Sequence, residues 1–193
     1  MKHVFIINGH HKYPFSEGRL NASLVERAEQ FFKNKGFEIR KTITQDAYDV
    51  DEEIGKFKWA DIVFFQTPLN WMGVSWSFKK YIDEVFSMGM MGEMSDGDGR
   101  SKNAPKKGYG LGGKLKGKYM MSITANAPKE AFNDPEESFF NGIKEDDLLK
   151  PMHLNFKWFG FEPMPTFMAY DVMKNPEIEN DFKRFDQHLI HNF

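Results

Sequence analysis

The chain has 193 residues, a mass of 22.5 kDa, 40% hydrophobic residues and no cysteine. That length suits one sizeable core and is short for two, so we expect a single domain over residues 1–193. The lack of cysteine excludes disulfides, thiolate nucleophiles and thiolate-bound metals, so redox chemistry would need a bound cofactor. With 26 basic and 28 acidic residues, the whole-chain net charge of -2 disfavours nucleic acid or an anionic membrane surface as partner.

The chain opens with a short apolar run, Val4 to Ile7, that ends at Asn8-Gly9. This run is too short for the apolar part of a signal peptide and far too short to span a bilayer. We therefore expect a cytoplasmic protein without an integral membrane segment. An unbroken apolar run of this length is typical of a parallel strand buried on both faces.

Strand and helix patterns then alternate along the chain. The predicted strands cover 4–7, 37–43, 62–65, 119–125 and 167–170, and the predicted helices cover 20–32, 50–59, 76–85 and a last segment with Pro176 at its first position. Such alternation predicts a three-layer α/β/α fold with a parallel five-stranded sheet. In the sheet order 2-1-3-4-5, the loops after strands 1, 3 and 4 converge on one crevice, where ligands of such folds bind.

The loop after the first strand brings Ser16, Gly18, Asn21 and Ser23 to the start of the first helix. Free N–H groups and the positive end of the helix dipole make this position suitable for a phosphate or pyrophosphate. The alternative is a simple N-cap, in which Ser16 or Asn21 satisfies the helix end. The segment contains neither GxGxxG nor a P-loop motif, so it favours neither a nicotinamide-type Rossmann site nor an ATPase.

The loop after the third strand, Pro68 to Gly73, contains Trp71 and Met72. An amphipathic loop at a strand's carboxyl end suits a planar aromatic cofactor, although Trp71 and Trp76 could instead fill the core. The segment 124–127 follows the next strand at the equivalent position, which favours a shared ligand site.

The sequence contains no motif for a metal site or for a hydrolase. The six histidines show no metal spacing, and Asp96 to Gly99 lacks the pattern of a calcium loop, so we predict no metal. Ser122 has no GxSxG context for a hydrolase. Between Ser87 and Lys116 the periodicity lapses, and a loop of that length is usually functional or disordered.

Several strings of the sequence resemble a known family. They are Val4–Gly9, Ser16–Asn21, Trp59–Asp61, Trp71–Gly73 with Trp76, Lys79–Phe86, Ser95–Gly97, Lys118–Met120, Asn126–Phe132 and Pro163–Phe167. Together they resemble the modulator of drug activity B family of NAD(P)H:quinone oxidoreductases, which have a flavodoxin-like fold. The likeness runs along essentially the whole chain, with departures at Leu69-Asn70 and Ala125. The tyrosine–histidine pair of animal relatives is not evident, since residues 132–144 contain neither residue type.

The resemblance implies a homodimer that binds FAD and transfers a hydride from NADPH or NADH to the flavin and then to a quinone, in ping-pong order. It implies three groups of cofactor-binding residues and a closing residue. The pyrophosphate group comprises Ser16, Gly18, Leu20, Asn21, Ala22 and Ser23; the isoalloxazine group comprises Pro68, Leu69, Asn70, Trp71 and Met72; the polar-edge group comprises Thr124, Ala125, Asn126 and Ala127; and Tyr109 contacts or covers the cofactor. No protein acid or base is assigned, because the cofactor carries the hydride chemistry.

Two other functions remain open at this stage. One is an FMN-dependent, azoreductase-like reductase of the same fold. The other is a flavodoxin-like electron carrier or binding protein, although such carriers are usually strongly acidic.

Overall fold

The computed structural model describes residues 2–134, 136 and 139–193, with Asn133 described by its backbone alone. The strands are β1 His3–Asn8, β2 Glu38–Ile43, β3 Ile62–Pro68, β4 Lys118–Thr124, β5 Glu162–Pro163 and β6 Phe167–Ala169. The helices are α1 Arg19–Asn34, α2 Val50–Trp59, α3 Trp76–Gly89, α4 Glu130–Asn133, α5 Glu145–Leu148, α6 Lys150–Trp158 and α7 Ile178–Asn192. No helix of this described part is long and apolar enough to cross a membrane.

The strands form one parallel sheet in the order β2-β1-β3-β4-β5, which confirms the predicted order. The fifth position is shared by two short strands, because β5 pairs with the start of β4 and β6 pairs with its end. Between the pairs Tyr119↔Pro163 and Ser122↔Phe167, the outer strand has one residue more than β4. This bulge contains Pro165, whose missing N–H is tolerated at a bulge on a sheet edge.

Each face of the sheet carries its own apolar core. Val4, Ile6 and Phe64 pack with α1 and α7, whereas Phe5 and Phe65 pack with α2, α3 and α6. Both sets are fully buried, because successive side chains of a strand point to opposite faces and helices cover both of them. The result is the predicted three-layer architecture.

Several element boundaries differ from those predicted, and two of the differences have a clear structural cause. Strand β3 continues through Gln66 and Thr67 to Pro68, because β4 pairs with it over this whole length. The prediction that Pro176 occupies the first position of the last helix is wrong. The carbonyl of Glu177 accepts the first helical hydrogen bond, from the Asp181 N–H at 2.9 Å, so α7 begins at Ile178 and Pro176 lies before its N-cap.

Gly9 connects the loops that follow β1 and β3. Its N–H donates to the Gln66 carbonyl at 2.8 Å, and its own carbonyl accepts from the Ser75 hydroxyl at 2.7 Å and the Thr67 hydroxyl at 3.2 Å. Helix α3 approaches so closely that a Cβ on Gly9 would lie 2.4 Å from the Phe78 ring. The junction therefore requires glycine for space.

We expect Gly9→Ala to destabilise the protein by about 1–3 kcal/mol, because the added methyl overpacks against Phe78. Gly55→Ala is the matched control, since a Cβ on Gly55 of α2 meets nothing within 4 Å. Alanine there should raise the free energy of unfolding by about 0.5–1 kcal/mol. Urea unfolding of both variants measures the difference, and equal stability of the two would refute the steric account.

Candidate functional site

A cleft of about 650 Å³ opens at the carboxyl ends of β1, β3 and β4. Its walls come from the loop after β1, the first turns of α1, the loop after β3, the end of β4 and the segment leading into α7. Ten of the predicted site residues line it: Ser16, Gly18, Leu20, Asn21, Ser23, Pro68, Leu69, Asn70, Thr124 and Asn126. The three loops that were expected to converge therefore do so.

Helix α1 begins at this cleft without a side-chain cap. Gly18 is its N-cap, with φ of 78°, and no side chain of the described residues hydrogen-bonds to the helix end. The first turn contains no acidic residue. The alternative in which Ser16 or Asn21 caps the helix is thus wrong, and the amide groups of the first turn, with the positive end of the dipole, are available to an anion.

The His10 ring packs closely against Gly18, the N-cap of this helix. A Cβ on Gly18 would lie 2.4 Å from the His10 Nδ1, so the loop needs glycine both for its left-handed backbone and for this close approach. The ring is 7% exposed, and its Nε2 lies 3.4 Å from the Ser16 hydroxyl. Burial, followed by the nearby charge of His11, lowers the pKa of His10, which favours a neutral imidazole at pH 7.

The lining of the cleft includes both polar and apolar side chains. Its polar members include Ser16, Asn21, Ser23 and Thr124, with Glu17 and Arg19 on either side of the N-cap of α1. Its apolar members are mainly aliphatic, aromatic or thioether side chains: Phe15, Leu20, Val172, Met173, Ile178 and Phe182. A ligand that fills the whole cleft therefore needs both polar and apolar parts.

The loop after β3 makes a tight turn with an exposed tryptophan at its tip. Asn70 and Gly73 exchange backbone hydrogen bonds of 2.9 and 3.0 Å, and both Trp71 and Met72 have positive φ, at 47° and 63°. Such a turn normally takes Asn or Gly at both central positions, so this backbone is strained. Trp71 is 94% exposed and Trp76 is 59% exposed, which rules out the alternative that they fill the core.

A second cavity adjoins the cleft at this turn. It is lined by Tyr13, Asn70, Trp71, Gly73, Val74, Trp76 and Lys79, and it shares Tyr13 and Asn70 with the main cleft. A row of aromatic rings borders it, since His11 packs on Trp76 and Tyr13 at 4.6 and 4.9 Å, and Tyr13 stacks on Phe15 at 5.3 Å. Flat ligands would find broad aromatic contacts here.

The remaining predicted residues lie outside the main cleft. Three of them are alanines whose backbone groups form hydrogen bonds. The N–H groups of Ala22 and Ala125 donate to the carbonyls of Gly18 and Ala169, and the Ala127 carbonyl accepts from the Asp171 N–H. Trp71 borders the adjoining cavity, and Met72 is the other corner of the tight turn.

Tyr109 lies in a different pocket, which shares no residue with the cleft. Its ring is 68% exposed and packs edge-on against Trp158 at 5.1 Å. The long segment 90–117 that carries Tyr109 is a folded loop with isolated bridges, such as Ser95↔Gly113. Within one chain, therefore, Tyr109 does not contact a ligand in the cleft.

A tyrosine–histidine pair does exist, but away from the cleft. The Tyr119 hydroxyl lies 2.6 Å from the His153 Nδ1, and the His153 Nε2 lies 3.2 Å from an Asp146 oxygen. Burial raises the pKa of Tyr119, and His153 lowers that of Asp146. Because none of the three lines the cleft, we assign them to the packing of α5 and α6 on the sheet.

Sequence reasoning missed most of the apolar side chains that line the cleft. Val172, Met173, Ile178 and Phe182 belong to the segment after β6, where no motif marked a site. The only available signal was that this segment also follows a strand. Among the described residues, no group of three His, Asp or Glu side chains could hold a metal ion.

Comparison with known proteins agrees with this geometry. The family described as having a flavodoxin-like fold matches residues 2–189, and the chain belongs to that family. The NADPH:quinone oxidoreductase MdaB of Haemophilus influenzae is 38% identical over 187 residues, which cover 96% of this chain and 96% of that protein.

Two solved structures share the fold. A putative quinone reductase from Klebsiella pneumoniae superposes with a TM-score of 0.74 at 21% identity, covering 99% of this chain and 83% of that one. General stress protein 14 from Treponema denticola, in complex with FMN, has a TM-score of 0.67 at 18% identity, covering 99% of both chains.

Proposed function

We propose that the protein is a flavin-dependent NAD(P)H:quinone oxidoreductase that binds FAD and works in ping-pong order. The observation that carries this proposal is the cleft at the carboxyl ends of β1, β3 and β4, with the uncapped start of α1 in its wall. The full-length likeness to an NADPH:quinone oxidoreductase supports the choice of substrates. A cytoplasmic location stays a prediction from the sequence.

The residues present fit a phosphorylated flavin. The first-turn amides of α1, with Ser16 and Ser23, would hold the phosphates. A neutral His10 can donate a ring N–H toward the same loop. A flavin bound there supplies two-electron hydride chemistry between a nicotinamide and a quinone.

The mixed polar and apolar lining of the cleft favours FAD over FMN. FMN has one phosphate and no adenosine, so it would leave part of the apolar lining uncovered. An adenine ring between Met173 and Phe182 would bury that surface, and a thioether contact with an aromatic ring is favourable. The isoalloxazine would then lie toward Leu69, Asn70 and Thr124.

The adjoining aromatic cavity is suited to the two substrates. Trp71 and Trp76 present large exposed faces beside the cleft, and nicotinamide and quinone rings are both flat. If one cavity serves both rings in turn, the first product must leave before the second substrate enters. The role of the protein is then to orient each ring and to exclude water.

Purified protein should release FAD on denaturation. Anaerobic NADPH or NADH should bleach the bound flavin, and a soluble quinone should restore its absorbance. FMN in place of FAD would favour the azoreductase-like reductase. A flavin that neither nicotinamide reduces, or a protein that binds no flavin, would contradict the proposed activity and favour a carrier or a binding protein.

We expect Met173→Ala to weaken FAD binding about fivefold, the effect of losing roughly 1 kcal/mol of thioether contact with the adenine. FMN affinity should not change, because FMN lacks the group that Met173 would touch. Met88→Ala is the control, since Met88 is also exposed and lies outside the cleft. Flavin titrations of the apoprotein measure both constants, and an equal loss for FMN would contradict the placement of adenine.

We also propose a homodimer, in which Tyr109 of one copy approaches the cleft of the other. The segment 99–129 has eight Lys or Arg and no acidic residue, which leaves 18 basic against 28 acidic side chains elsewhere. That asymmetry makes one copy electrostatically complementary to another. Exposed apolar side chains that a second copy would cover are Tyr109 and Leu111 on this segment, Phe15 at the cleft and Trp71 at the adjoining cavity.

Sedimentation at micromolar concentration should give twice the 22.5 kDa of one chain. The double variant Tyr109→Ser with Leu111→Ser should dissociate it, because both side chains would lose apolar contacts at the interface. Ile190→Ser is the control, since this exposed side chain lies near the end of α7. A wild-type protein that sediments as a monomer would contradict the dimer.

A further inference from the structure

Directly beneath the cleft floor lies a layer of buried polar side chains. Gln66 of β3 is in register with Asn8 of β1 on one side and with Ser122 of β4 on the other. Thr124, two residues beyond Ser122 and on the same face of β4, lines the cleft. Gln66 and Ser122 therefore lie two residues before the cleft floor along their strands, on the face of the sheet that α1 and α7 cover.

Several atoms of this layer have no hydrogen-bond partner among the described protein atoms. They are both amide atoms of Gln66, the Ser122 hydroxyl and the Asn21 Oδ1. Gln66 and Ser122 are 0% exposed, and Asn21 is 3% exposed. Buried polar atoms are nearly always hydrogen-bonded in folded proteins, because burial without a partner is costly.

The chemistry of these groups defines what can satisfy them. A carboxamide and a hydroxyl offer donors and acceptors together, and none of them is charged. Their complement is a small neutral group that both donates and accepts, which describes water. None of the three side chains is charged, so they would supply no counter-charge to an anion or a metal ion.

We propose that Gln66, Ser122 and Asn21 form a water-binding site beneath the cleft floor, and that Gln66 acts through this water as a positioning residue. The Asn21 Nδ2 donates to the Asn8 Oδ1 at 2.6 Å, and the same oxygen accepts a hydrogen bond from the backbone N–H of His10 at 3.1 Å. A water bound to the free Asn21 oxygen and to Gln66 would complete a chain of hydrogen bonds. This chain would run from the sheet to the start of α1 and to His10. The positioning role rests on the proposed flavin site; the water site does not.

A high-resolution crystal structure of the ligand-free protein tests the site. We expect at least one water within 3.2 Å of the Gln66 amide and of either Ser122 or Asn21. The isosteric variant Gln66→Met should fold and should lose that water. A Gln66 amide bonded directly to Ser122, with no water between them, would overturn the proposal. In the flavin-loaded crystal the water should persist, and its replacement by a ligand hydroxyl would assign the site to the ligand instead.

Flavin titration tests the positioning role. Gln66→Met should raise the Kd for FAD by about fivefold, the equivalent of one lost hydrogen bond, while its thermal midpoint stays close to that of the wild type. Thr44→Val is the matched control, because the Thr44 hydroxyl is also buried without a partner but follows β2, outside the cleft lining.

The outcomes separate the two proposals. An unchanged Kd in Gln66→Met would overturn the positioning role even if the water is seen. A wild-type protein that binds no flavin would instead overturn the proposed function, and the crystal would still decide the water site.

Discussion

The packing of Gly18 on the His10 ring is the contact on which the site depends. It places the left-handed N-cap of a sixteen-residue helix directly at the carboxyl end of β1, where no side chain satisfies the helix end. The Asp49 side chain caps α2 and the Ser75 side chain caps α3, whereas α7 also starts without a side-chain cap but has Glu179 and Asp181 in its first turn. Because the first turn of α1 contains no acidic residue and lies in the cleft wall, we expect a ligand's phosphate to bind there.

The parallel sheet brings the other parts of the cleft to this point. The Gly9 N–H, in the loop after β1, donates to the Gln66 carbonyl of β3 at 2.8 Å, and the Leu69 N–H donates to the Thr124 carbonyl at 2.8 Å, which ties the loop after β3 to the end of β4. These bonds connect backbone atoms, so they hold the loops while leaving their side chains free for a ligand. A strained turn that presents Trp71 to solvent can persist because its flanks are fixed in this way.

Much of this arrangement could be predicted from sequence, since it rests on local patterns. The apolar runs of β1 and β3 and the helical periodicity of α1 predicted a parallel sheet covered by helices, and the order 2-1-3-4-5 taken for it placed three loops at one crevice. The apolar lining from Met173 and Phe182 could not be predicted, because Phe182 belongs to α7, which packs against α1, and Met173 lies in the segment before that helix. The place of Tyr109 was also beyond local patterns, since a loop without periodicity does not show which pocket it borders.

The distribution of charge is also hidden by whole-chain composition. The whole-chain balance of -2 hides a basic segment on an acidic body, and only a count along the chain reveals it. Gln66 lies just beyond the predicted third strand, 62–65, and its significance depends on its neighbours in β1 and β4.

The most direct test of the account is a crystal structure of the flavin-loaded protein. The account predicts a phosphate oxygen 2.7–3.2 Å from a backbone nitrogen in the first turn of α1, with the isoalloxazine beside Leu69 and Asn70. A flavin bound elsewhere, or one whose phosphates do not touch α1, would contradict it.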